Sequence, residues 1–256
     1  MKAEKTQRRD YADKDIKLLW GLAAAKCACP DCRIDCVAPE TAQDRASIFG
    51  DIAHIVAHGK NGPRADASYP RDLLNKYENL ILLCRNHHKP VDDQQSTYTI
   101  QELRQWKTKH EEWVRTSLVL EVPHIGFPAL EVVCNAILSK PQHPVEDMFV
   151  PPIADKIERN KIGAQNHFLI TMALSKVVEV GEFVNHVALM DDRFPERLKA
   201  GFVAEYEKHR INGTEPDELF TLLVSFASGN SNNFHRRAAG LVVLVYLFEK
   251  CEVFEP

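Results

Sequence analysis

The stretch NLILLCRNHHKPVD, Asn79 to Asp92, places a cysteine, two adjacent histidines and an aspartate directly after an apolar run. Cys84-x-x-His87 has the spacing of a metal-binding knuckle. Consecutive residues on a helix point about 100° apart, so a helix that turns His87 towards a metal turns His88 away from it. The pair is therefore expected to divide between two sites, one structural and one chemical.

A second knuckle lies upstream. Four of the seven cysteines crowd into CACPDCRIDC, Cys27 to Cys36, too tightly spaced to pair comfortably among themselves. In a reducing compartment this pattern favours metal over disulfide. Zinc takes four soft or borderline ligands in a tetrahedron, usually from two short knuckles in separate parts of the chain. Cys29-x-x-Cys32 has the commonest spacing for the first knuckle, and Cys27 with Cys32 is the alternative. Cys36 is the poorer candidate, lying beyond the turn expected at Pro30 and Asp31. Cys134 and Cys251 sit in apolar helical surroundings and are expected in the core.

The segment GDIAHI, Gly50 to Ile55, supplies a second imidazole, His54, and a carboxylate, Asp51, three residues before it. Asp51, His54, Asn79 and His88 together offer what metal-assisted hydrolysis requires: ligands for a divalent ion and a histidine to take a proton from water. These residues, with GPRAD (Gly62 to Asp66), resemble the HNH nuclease family, whose ββα-metal core carries a histidine on the first strand, an asparagine in the loop and a histidine on the helix. KCACPDC, Lys26 to Cys32, is similar to the Lys-Cys-x-x-Pro-x-Cys element that precedes that core in one branch of the family. The likeness covers about residues 10 to 118.

The resemblance implies an endonuclease that hydrolyses DNA phosphodiesters. Its structural zinc would sit on Cys27, Cys32, Cys84 and His87, with Cys29 the alternative to Cys27. A catalytic Mg²⁺ or Mn²⁺ would be held by His88 and Asp51, His54 would be the general base, and Asn79 would hold the loop and orient that base. Many members have an aspartate directly before the base, where this chain has Ala53. Arg64 is expected to be structural or phosphate-contacting, and Asp92 to hydrogen-bond a ligand histidine. Asp93 reads as solvated, and His58 as a surface histidine held apart from His54. Lys60, Arg85 and Lys89 are candidate DNA-phosphate contacts.

Elsewhere the pattern is mostly helical. A helix is expected within residues 13–27, a strand over 51–57, and a capped helix from Thr99 to about Leu118, where TIQE has the form of a capping box. Prolines and glycine at 123–128 mark a boundary, and four prolines between Ser139 and Pro152 suggest irregular chain. Helices are expected within 195–210, 215–228 and 232–251. The resulting scheme is α+β: a nuclease domain over 1–122, a proline-rich linker over 123–150 and a helical domain over 151–256 for partner binding or oligomerisation.

The net charge of −4 is uneven. Residues 1 to 120 hold 19 Lys+Arg against 17 Asp+Glu, while 121 to 256 hold 13 against 19, so polyanion contact is expected in the first part. The chain opens on a polar segment where a signal peptide would need an apolar one, and its longest apolar run, Ala238 to Phe248, falls well short of the roughly 20 residues that span a bilayer. A soluble cytoplasmic protein without membrane contact is expected. His124, His143, His167, His186, His209 and His235 have no partner cysteine or spaced acid and are expected at the surface or as caps.

RRAAGLVVLVYLFEKCEVFE at the C-terminus, with FPERLKAGFVAEYEKHR and DELF, is similar to the C-terminal domain of effector subunits in ABC three-component, Lamassu-like bacterial defence systems. That likeness covers about residues 150 to 256. It implies an SMC-like ATPase subunit and a small middle subunit as partners, with homo-oligomerisation on activation. A stand-alone restriction-type HNH enzyme is the alternative, although the acidic second half argues against broad phosphate contact. A non-catalytic zinc-dependent DNA-binding module is a third reading, and it would need none of Asp51, His54, Asn79 and His88.

Overall fold

The computed structural model describes residues 10–140, 152–250 and 254. The chain is α+β, with two small sheets and a mainly helical C-terminal region. It divides into two compact units, Met1–Trp113 and Val114–Pro256.

In the first unit, helix α1 (Asp13–Leu22) leads into the cysteine-rich turn. A short antiparallel pair, β1 (Val37–Ala38) with β2 (Ser47–Ile48), precedes the longer pair of β3 (Gly50–His54) and β4 (Leu80–Cys84). In the longer pair Gly50 lies opposite Cys84 and His54 opposite Leu80. Helix α2 (Arg85–Asp93) starts at the residue after β4, and α3 (Ile100–Glu121) contributes its residues up to Trp113.

The sequence accounts for this order. All five residues of β4, LILLC, are buried, as a short aliphatic run between polar segments requires of an inner strand. Gly50 is fixed by space, because a Cβ there would lie 2.5 Å from the Cβ of Cys36. Thr99 caps α3 as expected, its Oγ1 accepting from the Glu102 amide at 3.2 Å. His110 on α3 is buried and its Nε2 donates to the Ala23 carbonyl at 3.1 Å, satisfying a carbonyl at the end of α1.

Two boundaries differ from the sequence reading. Helix α1 stops at Leu22 rather than running through the alanines, because Ala24 and Ala25 adopt left-handed backbone, φ 50° and 52°. That reversal costs about 1–2 kcal/mol per residue and overrides the high helix propensity of alanine. It lets the Cys27 amide donate to Ile34 and the Ala28 amide to Leu82, at 2.9 and 2.8 Å, which ties the turn to β4. Strand β3 stops at His54, and beyond it the Val56 amide donates to the Asn79 side chain instead of to a continuing ladder.

The second unit is built on α10 (Phe234–Lys250), whose residues from Arg237 to Val245 are all buried. Around its core lie α4 (Phe127–Leu138), α6 (Ala164–Ala173), α7 (Val177–Ala188), α8 (Phe194–Ile211) and α9 (Pro216–Ala227), with the short α5 (Ile153–Arg159) alongside. The long apolar run is thus a core helix. Among the described residues no single helix is long and apolar enough to cross a membrane.

Helix α4 falls inside the stretch read as a linker. Leu130, Val133, Cys134 and Ile137 make a helically spaced apolar face that is buried. Flanking prolines disguised it in the sequence, yet Pro128 sits in the first turn, where its missing N–H costs nothing. Residues 141–150 of that stretch lie outside the described residues. Cys134 is buried in the core as expected, and Cys251 lies outside the described residues.

One histidine of this unit corrects the sequence reading. His209 is buried and does have a spaced acid, its Nε2 lying 2.9 Å from Glu205 Oε1 one helical turn earlier. His235 Nδ1 is 3.1 Å from Glu121. His143 lies outside the described residues.

Candidate metal centre and adjoining polar cluster

Cys27, Cys32, Cys84 and His87 bring one donor atom each to within 4.8 Å of all the others, the one such His/Cys/Asp/Glu group among the described residues. Cys32 Sγ lies 3.9 Å from Cys84 Sγ, and His87 Nδ1 lies 3.1 Å from Cys84 Sγ and 3.9 Å from Cys27 Sγ. A tetrahedral ion with Zn–S of about 2.3 Å and Zn–N of about 2.0 Å separates its donors by roughly 3.5–3.8 Å. Three thiols and an imidazole at this spacing could hold a metal ion, and the donor set is compatible with a structural zinc. Between the two candidates of the first knuckle, the geometry takes Cys27 rather than Cys29. Cys36, as expected, is buried outside the group.

Burial pushes the Cys27 thiol up well beyond its ordinary range and Cys36 up to about 12. A buried thiolate needs a compensating cation.

One residue beyond His87, the chain meets a different environment. His88 Nδ1 lies 3.2 Å from Asp51 Oδ2 on β3, and its Nε2 lies 3.4 Å from Asp92 Oδ2, four residues further along α2. The helix therefore separates the two histidines as their adjacency implied. Asp51 is 38% exposed, so the carboxylate is reachable from solvent. Asp92 thus stands beside the His88 imidazole, on the side opposite to Asp51.

Asn79 is 1% exposed and all its polar atoms act within the protein. Its Oδ1 accepts from the Val56 amide, and its Nδ2 donates to the carbonyls of Val56 and Leu74, each at 2.9 Å. It holds the loop, as expected. The side chain that bonds the His54 ring is another one, Asn75, whose Oδ1 lies 3.0 Å from His54 Nε2. Sequence reasoning missed Asn75, because an isolated asparagine in a loop carries no spacing signal.

One neighbour is placed differently from expectation. The His54 and His58 rings stand 5.7 Å apart by centroid, so the loop brings together two histidines that a strand would have separated. Arg64 takes the structural one of its two expected roles: its side chain is 3% exposed and its guanidinium is occupied by protein acceptors. It donates to the carbonyls of Ile55 (3.1 Å), Val91 (2.5 Å) and His54 (3.3 Å), and to Asp92 Oδ1 (2.8 Å). One buried cation thus ties the end of β3 to α2 and holds the carboxylate that faces His88. Lys60, Arg85 and Lys89 are exposed, and Lys89 pairs with Asp93 at 2.6 Å.

Replacing Arg64 by alanine strands a partly buried carboxylate and three carbonyls. Chemical denaturation is expected to show a loss of about 3 kcal/mol, against about 0.5 kcal/mol or less for Lys60→Ala. No known family model and no curated protein matches the chain.

Proposed function

We propose that the first unit is a metal-dependent DNA endonuclease of the HNH, ββα-metal type. The observation that carries the reading is the division of two adjacent histidines: His87 joins three cysteines, while His88 meets Asp51 on the paired strand at 3.2 Å. Strand, loop, strand and helix follow one another in the order that the resemblance requires, with His54 ending the first strand and Asn79 ending the turn that leads into the second.

In this reading Zn²⁺ at Cys27, Cys32, Cys84 and His87 is structural, fixing β4 and α2 to the cysteine turn. Asp51 and His88 supply the hard oxygen and imidazole nitrogen suited to Mg²⁺ or Mn²⁺, which would stabilise charge on the phosphorane and the leaving oxygen. Asp92 Oδ2 lies 3.4 Å from His88 Nε2 on the other side of the ring, and Nδ1, the atom beside Asp51, would be the ligand nitrogen. His54 takes a proton from water as the water oxygen bonds to phosphorus. The P–O bond to the leaving sugar oxygen breaks, and that oxygen takes a proton from solvent. Lys60, Arg85 and Lys89 would contact DNA phosphates at the exposed rim.

The second unit is read as the effector's partner-binding part, joining a cytoplasmic defence complex with an SMC-like ATPase and a small middle subunit, and self-associating when active. Its exposed apolar side chains, Phe168, Met172, Val178 and Leu189 among them, support a binding role. The test is a supercoiled-plasmid assay with the purified full chain. Nicking that needs Mg²⁺ or Mn²⁺ and stops with chelator is expected, and an intact plasmid under all these conditions refutes the nuclease reading.

A further inference from the structure

We propose that Asn75 is a positioning residue that holds His54 in its Nε2–H tautomer, so that Nδ1 is the atom that takes the proton from water. The inference rests on the reading of His54 as general base. It follows from which groups are able to donate.

The Asn75 carboxamide lies between two partners. Its Nδ2 is 3.1 Å from the Asp10 backbone carbonyl, and its Oδ1 is 3.0 Å from His54 Nε2. A backbone carbonyl only accepts, so the amide nitrogen must face Asp10. That leaves the amide oxygen facing the ring, and an amide oxygen also only accepts. His54 Nε2 must therefore carry the hydrogen, and a neutral imidazole, having one N–H, keeps its lone pair on Nδ1. The orientation of Asn75 is thus set by the bonding network around it.

The surroundings hold this arrangement. Tyr11 stacks on the His54 ring, with centroids 5.6 Å apart and planes at 30°. Among the described residues, His58 faces His54 ring to ring at 5.7 Å, and Arg64 lies on the His54 carbonyl at 3.3 Å. Asn79 donates to the Leu74 carbonyl, so it fixes the residue immediately before Asn75. Asn79 accordingly acts on the candidate base through Asn75 and not by touching it.

Two measurements test the proposal. Two-bond proton–nitrogen correlation spectra of the zinc-loaded full chain, labelled with ¹⁵N-histidine, should show His54 protonated on Nε2 above its titration. A dominant Nδ1–H form overturns the proposal whether or not the chain cuts DNA. In the plasmid assay Asn75→Ala should lower kcat at least tenfold with KM for DNA unchanged. Asn75→Asp keeps the acceptor and adds a charge that favours imidazolium, so it should restore turnover at high pH and move the acid limb of the kcat profile upwards. Equal losses in both variants with an unmoved limb would mean a merely structural Asn75. If the wild-type chain does not cleave DNA, the nuclease reading fails separately, and the spectra still decide the tautomer.

Discussion

Replacing His54 by alanine is expected to slow DNA cleavage by about 10²- to 10⁴-fold, the usual contribution of a positioned general base. That is roughly 3–5 kcal/mol of lost transition-state stabilisation. The effect should fall on kcat and leave the fold intact. The ring bonds to Asn75 and stacks on Tyr11, while the unit's apolar core is built on the buried β4 and the cysteine turn. Single-turnover nicking with the variant, alongside its far-ultraviolet circular dichroism, makes the comparison. Undiminished cutting by a folded His54→Ala protein would remove the histidine from the mechanism.

The largest expected effect on stability is that of Cys84→Ser. Cys84 ends β4, pairs with Gly50, and offers its sulfur to the candidate metal group, so one atom joins the strand pair to the cysteine turn. Structural zinc contributes apparent binding energies of about 10–16 kcal/mol in small zinc domains, comparable with or greater than the whole stability of a typical domain. The variant should lose bound metal and amide protection in the first unit. The second unit has an apolar core of its own and should keep its protection. Metal analysis with hydrogen exchange reads both, and stoichiometric zinc with full protection in Cys84→Ser would contradict the assignment. Affinity should weaken towards acid pH, because protons compete with metal for thiolate and imidazole donors.

Parts of this architecture were legible because their physics is local. A Cys-x-x-His directly after an aliphatic run marked a candidate metal ligand, and the helical turn between His87 and His88 put the two rings in different surroundings. The choice of Cys27 over Cys29 was less visible, since both have short spacings to Cys32. It depends on the left-handed turn at Ala24 and Ala25, a conformation that alanine's propensity argues against. Helix α4 was hidden by its prolines. Asn75, His58 and the burial of Arg64 could not be read from spacing at all, because a loop between β3 and β4 brings them to the site. In the second unit Glu205 and His209 were in helical register, and their pairing was open to the same reasoning that separated the adjacent histidines.

The division between those histidines is the central claim, and two variants measured side by side test it most directly. Zinc content, melting temperature and plasmid nicking would be determined for His87→Ala and His88→Ala. The expected result is that His87→Ala loses zinc and melts at lower temperature, while His88→Ala keeps both properties of the parent but no longer nicks. A His88→Ala protein that nicks like the parent, or a His87→Ala protein that retains its zinc, would contradict it.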